Sequence, residues 1–250
     1  MAGHSKWANI KHKKARVDAK KGKVFTRVAK ELTVAAKHGG GDTELNPRLK
    51  AAIQKAKEAN MPNDNIDRAI KKGTGEIEGV VYEEFSYEGY GPAGVAILLD
   101  VATDNRNRTA AEIRHLFAKH GGNLGESGCV AWMFDRKGYL AADVTEDMDY
   151  EELMLMAIEC GAEDVSIEED TLEITTEPDS LEEVKRQLIN QGLRFNVSEL
   201  SMIPKNTVEI VNKNDAKKLL ELMEVLEDQD DVQNVYANFD IDDSLVDTIN

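Results

Sequence analysis

The amino-acid sequence predicts an α+β multidomain chain, with an N-terminal three-helix domain followed by two ferredoxin-like α/β domains, one inserted in the other. Three observations carry that expectation. Charge is segregated along the 250 residues: 1–75 hold 18 basic and 7 acidic residues, a net of +11, while 76–140 carry −4 and 141–250 carry −23. Apolar side chains in the first third recur at helical spacing. Further on, a β-α-β-β-α-β order occurs once intact and once in two pieces. The expected domains are a basic helical domain at 1–75, a split domain at 80–137 plus 205–241, and an inserted acidic domain at 138–204.

Each element has a local reason. Residues 15–37 place Val24, Phe25, Val28, Leu32, Ala35 and Ala36 on one helix face, and Gly39, Gly40 and Gly41 stop the helix. A second helix opens at Asn46-Pro47, an N-cap followed by proline at the first helical position, and stops near Asn60. A third starts near Asn63 or Asp64 and ends at Gly73. Strands are expected at Phe85–Glu88, Val95–Val101 and Val130–Phe134, with a helix over 108–119 opened by a capping box, Thr109 with Glu112. The inserted domain reads as strand Tyr139–Val144, helix Tyr150–Cys160, strands Val165–Ile167 and Leu172–Thr175, helix Leu181–Asn190 and strand Phe195–Met202. Strand Thr207–Ile210, helix Asp215–Leu226 and strand Val235–Phe239 complete the split domain.

Several function classes drop out. No run approaches ~18 apolar residues, so no transmembrane helix and no membrane partner are expected. The start has no apolar signal core, and Cys129 and Cys160 are the only cysteines, which points to a reducing, cytoplasmic setting. His115 and His120 are five apart rather than four, and Cys129 has no cysteine at ligand spacing, so no metal is expected. No nucleophile–base pair or phosphate-binding loop signature appears, and neither enzyme activity, a cofactor nor a small-molecule substrate is expected. Gly89-Tyr-Gly91-Pro-Ala-Gly94 spells a dinucleotide fingerprint, but a strand follows where a helix is required, so it reads as a hairpin turn.

The sharpest functional signal is the basic front. Lys20, Lys23, Arg27 and Lys30 fall in a sector of roughly 100° opposite the apolar face of the first helix. Upstream, Lys6, Lys11, Lys13, Lys14 and Arg16 surround Trp7 and His12, and Asp18 is the sole acid in residues 1–30. This pattern points to a phosphate-backbone surface. Trp7 either stacks on a base or anchors the tail to the bundle. Arg106 and Arg108 open a helix at its positive end, where cations are disfavoured. They meet either an external phosphate, together with Arg114 and Lys119 further along the helix, or neighbouring acids such as Asp100 or Asp104. Trp132 and Phe134 read as alternating core residues of one strand, in preference to an RNA-recognition surface.

The segments MAGHSKWANIKHKK, NPRLKAAIQKAKEANMP, DNRNRTAAEIRHLFAKHGGNLGESGCVAWMF, GAEDV and LEDQDDVQNVYANF together resemble the YebC family across nearly the whole chain. The resemblance implies a helical domain followed by two α/β domains, the third inserted in the second, and no enzymatic activity. It implies a nucleic-acid partner: DNA, as for bacterial members labelled cytoplasmic transcriptional regulators, or ribosomal RNA, as for relatives connected with translation and with ribosomes stalled on proline-rich chains. The oligomeric state is not legible in the sequence.

Overall fold

The computed structural model describes residues 21–145, 148–168, 170–242 and 245–246, with side chains from Lys23 onward. Three helices come first: α1 (Lys21–Gly39), α2 (Pro47–Glu58) and α3 (Asn63–Thr74). Their starts and stops follow local chemistry. The Asn46 side chain accepts a hydrogen bond from the Leu49 amide at 3.0 Å, and Pro47 fills the first turn. Asn60, at φ 59°, and Gly75, at φ 80°, take the left-handed conformation after α2 and α3. Val28, Leu32, Leu49, Ala52, Ala56, Ile66 and Ala69 form the shared core. Small residues let α3 approach α1 closely: a Cβ on Gly73 would lie 2.3 Å from the Thr33 carbonyl oxygen.

The split α/β part contains β1 (Glu83–Tyr90), β2 (Ala96–Thr103), α4 (Arg106–Lys119) and β3 (Asn123–Leu124). A single 3-10 turn at Ala131–Met133 then leads into the inserted part. That part contains β4 (Phe134–Asp143), α5 (Tyr150–Glu159), β5 (Asp164–Glu168), β6 (Thr171–Thr176), α6 (Leu181–Asn190) and β7 (Val197–Pro204). The chain then returns through β8 (Val208–Ile210), α7 (Lys213–Asp228), β9 (Val232–Ala237) and β10 (Phe239–Ile241). Two compact units result. One is Trp132–Thr207; the other joins the described residues up to Ala131 with those from Val208 onward.

In the first unit the sheet order is β5-β6-β4-β7, antiparallel at every pairing. Joined by α5 and α6, this is the ferredoxin-like arrangement. Leu140, Ala142, Leu172 and Ile174 face Leu153, Ala157, Val184 and Leu188 of the helices. In the second unit β3-β1-β2-β9 form an antiparallel sheet. Its β2 is buried along nearly its whole length, as its unbroken apolar run requires.

Three sequence expectations are corrected. Val130–Phe134 is not a strand: the 3-10 turn ends at Met133, and Phe134 opens β4. Trp132 and Phe134 therefore do not alternate on one strand; Phe134 is buried, whereas Trp132 is 64% exposed. The returning strand β8 pairs in parallel with β10 as a separate two-stranded sheet instead of joining the four-stranded one. Finally, α4 is capped by Asn105, whose side chain accepts from the Arg108 amide at 3.1 Å, three residues ahead of the expected capping box.

Candidate nucleic-acid interface

The tail residues Lys6, Trp7, Lys11, Lys13, Lys14, Arg16 and Lys20 lie outside the described residues. The other candidates have definite surroundings. Lys23 donates to the Asp228 carbonyl at 2.9 Å and pairs with its carboxylate at 3.1 Å. Arg27 donates to the Glu227 carbonyl. Lys30 is only 6% exposed. It pairs with Asp231 Oδ1 at 2.6 Å and donates to the Asp230 carbonyl at 2.9 Å, with its Nζ 5.3 Å from the Tyr82 ring centre. Lys37 donates to the Tyr82 carbonyl at 3.0 Å.

The stripe thus meets the C-terminal end of α7 and the turn after it. Unpaired carbonyls gather there and the helix dipole is negative, so cations are favoured. From Val28 to Ala36, α1 is buried nearly all round: one side meets α2 and α3, and the polar seam meets β2, β9 and the end of α7.

Asp231 is the centre of that seam and was not legible as such in the sequence. It is 3% exposed. Beyond Lys30, its Oδ2 accepts from Thr109 Oγ1 at 2.7 Å and from Arg108 at 2.8 Å, with Thr103 Oγ1 at 3.2 Å. Burial alone would raise this carboxyl; the hydrogen bonds from Lys30, Thr109 and Arg108, with the Lys30 charge, outweigh it and hold the group well below the usual carboxylate range. Arg108 also pairs with Asp104 at 2.9 Å, as one of its two sequence readings anticipates. Arg106 behaves differently: its guanidinium carbon stands 4.5 Å from the Phe85 ring centre.

Glu88 is a second buried acid, and it fixes the loop leading into the inserted unit. Its carboxylate accepts amide hydrogens from Gly128 at 2.6 Å and from Val130 and Ala131, each at 2.7 Å. Burial opposes ionisation, but these three donors lower the group below its ordinary value.

The remaining motifs behave as their context requires. Gly89-Tyr-Gly91-Pro-Ala-Gly94 is the turn between β1 and β2, with Ala93 at φ 57° and Gly94 at φ 78°. Cys129 and Cys160 form no disulfide, and burial pushes both thiols upward. No group of His, Cys, Asp and Glu suited to a metal occurs among the described residues. None of the described helices is long and apolar enough to cross a membrane.

Comparison with known proteins gives a consistent result. Residues 5–76 match the model of the TACO1/YebC protein N-terminal domain, and residues 82–239 match that of the TACO1/YebC second and third domain. A relative from Halothermothrix orenii is 61% identical over 100% of this chain and 99% of its own length. One from Natranaerobius thermophilus is 63% identical over 99% of this chain and 100% of its own. Both bear the name "Probable transcriptional regulatory protein". The crystal structure of a conserved hypothetical protein from Aquifex aeolicus superposes with a TM-score of 0.82 at 50% identity, covering 91% of this chain and 93% of that one.

Proposed function

The chain belongs to the TACO1/YebC family, and from that premise we propose that it is a non-enzymatic, cytoplasmic transcriptional regulatory protein that binds duplex DNA through its basic N-terminal third. The observation that carries this reading is the match, over essentially the full chain, to relatives named for transcriptional regulation. The charge distribution supports it. A segment of net +11 attracts a polyanion, while the −23 carried by residues 141–250 repels it and keeps the chain from coating DNA indiscriminately.

The candidate residues divide between two roles. Lys6, Trp7, Lys11, Lys13, Lys14, Arg16 and Lys20 reach the nucleic acid. Lys23, Arg27 and Lys30 hold α1 against the end of α7, and Arg108 braces Asp231. Arg106, which has a ring contact and no carboxylate partner among the described residues, joins the first group.

Selection of genomic fragments by the full chain, followed by competition with random duplex, tests the proposal. A regulator should prefer its site by about 10³-fold or more. Changing Lys11, Lys13 and Lys14 to Glu should abolish retention. Equal affinity for every duplex, or binding to intact ribosomes with none to DNA, would overturn it.

A further inference from the structure

Cations that serve the fold have acceptors inside it, so the cations without acceptors mark the surface available to a partner. The outer face of α4 carries two of them, Arg114 and Lys119. Thr109, Ile113 and Phe117 turn inward, and Asn107, Ala111, Arg114, His115, Ala118 and Lys119 are all exposed. At 100° per residue these six span an arc of about 140°, with Arg114 at one border and Lys119 at the other. Among the described residues, Arg114, His115 and Lys119 have no hydrogen-bond or ion-pair partner.

One acid, Glu112, borders this face beside Lys119 and keeps its charge. Glu112 accepts from the Gln229 side chain at 2.8 Å, and Glu221 lies 3.8 Å from His120. By contrast, the exposed cations of α3, Arg68, Lys71 and Lys72, share their face with Asp64 and Asp67, and Lys213, Lys217 and Lys218 of α7 are interleaved with Glu221 and Glu224, mixed-sign patterns that need only water. Ala111 and Ala118 give the middle of the α4 arc a low floor between its charged borders.

We propose that this face of α4 docks on duplex DNA, with Arg114 and Lys119 contacting phosphates on either side of a groove and Ala111 and Ala118 allowing close approach. The dimensions agree: an α-helix with its side chains is about 10–12 Å across, and the major groove is about 12 Å wide. The assignment rests on the DNA-binding reading above and adds a surface to it. The tail supplies long-range attraction, and a rigid helix supplies register.

The test uses the full chain and a labelled random-sequence duplex, titrated between about 50 and 200 mM salt. Replacing both Arg114 and Lys119 with Ala should lower affinity. It should also reduce the steepness of the log–log salt dependence by about 1.8, or about 0.9 for each phosphate no longer neutralised. Both positions are exposed and alanine favours helix, so the melting temperature should hold. Ala111→Glu, which places a carboxylate on the floor, should weaken binding at every salt concentration. Matched alanine changes at Lys185 and Arg194 in the other unit should leave the salt slope unaltered. If the unmodified chain binds duplex and both α4 variants bind equally well with the same slope, the α4 assignment falls and the DNA-binding reading stands. If the unmodified chain binds no duplex, both fall together.

Discussion

Asp231 shows how a single carboxylate can be kept ionised inside a protein. It is flanked by Lys30 from α1 and by Arg108 and Thr109 from the first turn of α4, so it ties the helical region to the split α/β part. Removing one member of a buried pair strands the other, at about 3–5 kcal/mol. Asp231→Ala should therefore lower the unfolding free energy in urea by that amount, mainly by leaving the Lys30 ammonium buried without its partner. The pH dependence has a definite sign. The folded carboxyl binds a proton less readily than the unfolded one, so its contribution is complete above the unfolded value, about 3.9, and is lost as pH falls from there toward the depressed folded value. The stability gap between the parent chain and Asp231→Asn should be constant from about pH 7 to 5 and shrink below about pH 4. A gap independent of pH would mean that the charge is not what Asp231 contributes.

At the scale of elements, the crossing of α1 and α3 depends on an absent side chain. With its Cβ direction aimed at the Thr33 carbonyl and the Ala36 methyl, Gly73 cannot become Ala unless a helix moves. Overpacking of this kind costs about 1–3 kcal/mol, more than the gain in helix propensity. Gly73→Ala should lower the melting temperature, whereas Gly75→Asn, which keeps a left-handed C-cap, should be far milder.

The same elements show what the sequence reveals and what it conceals. All three N-terminal helices, and α5 and α6 of the inserted unit, were legible because caps, glycine stops and apolar periodicity are local signals. The strands β8 and β10 follow a different logic. They are three residues each and exist through pairing between Val208 and Phe239, so nothing within either segment announces their partner. The stripe Lys23, Arg27 and Lys30 is legible as a stripe, and its place opposite the apolar face suggests an exposed, phosphate-binding surface. Its acceptors are carbonyls and carboxylates some 200 positions away, as in the contacts of Arg27 with Glu227 and of Lys30 with Asp230. Helical periodicity identifies which residues share a face; it does not identify what covers that face. The Asn105 cap was missed for a smaller reason, since the competing Thr109…Glu112 pattern is equally good in sequence, and Thr109 Oγ1 instead serves Asp231.

For the whole molecule, the decisive feature is how the chain enters and leaves the inserted unit. Phe134 pairs with Pro204 across the first rung of β4 and β7, and the Lys205 amide donates to the Met133 carbonyl at 2.9 Å. Entry and exit are therefore neighbouring strands, and the unit closes on itself with its own core of Leu140, Leu172, Ile174, Val184 and Leu188. A chain in which a short Gly/Ser linker replaces 132–207 should fold cooperatively, because the remaining sheet has no strand contributed from that range. The excised 132–207 should fold with a separate melting transition. Charge gives the same cut a functional consequence. Residues 132–207 hold 6 basic and 19 acidic residues, a net of −13, so their removal takes the chain from −16 to −3 while leaving the basic front intact. If the acidic unit restrains indiscriminate binding, the shortened chain should bind random duplex more tightly at low salt, with the difference fading as salt rises toward the regime where the Debye length is about 3 Å, near 1 M. A shortened chain that folds but binds random duplex no better than the parent would show that the acidic unit acts by some means other than repelling the polyanion.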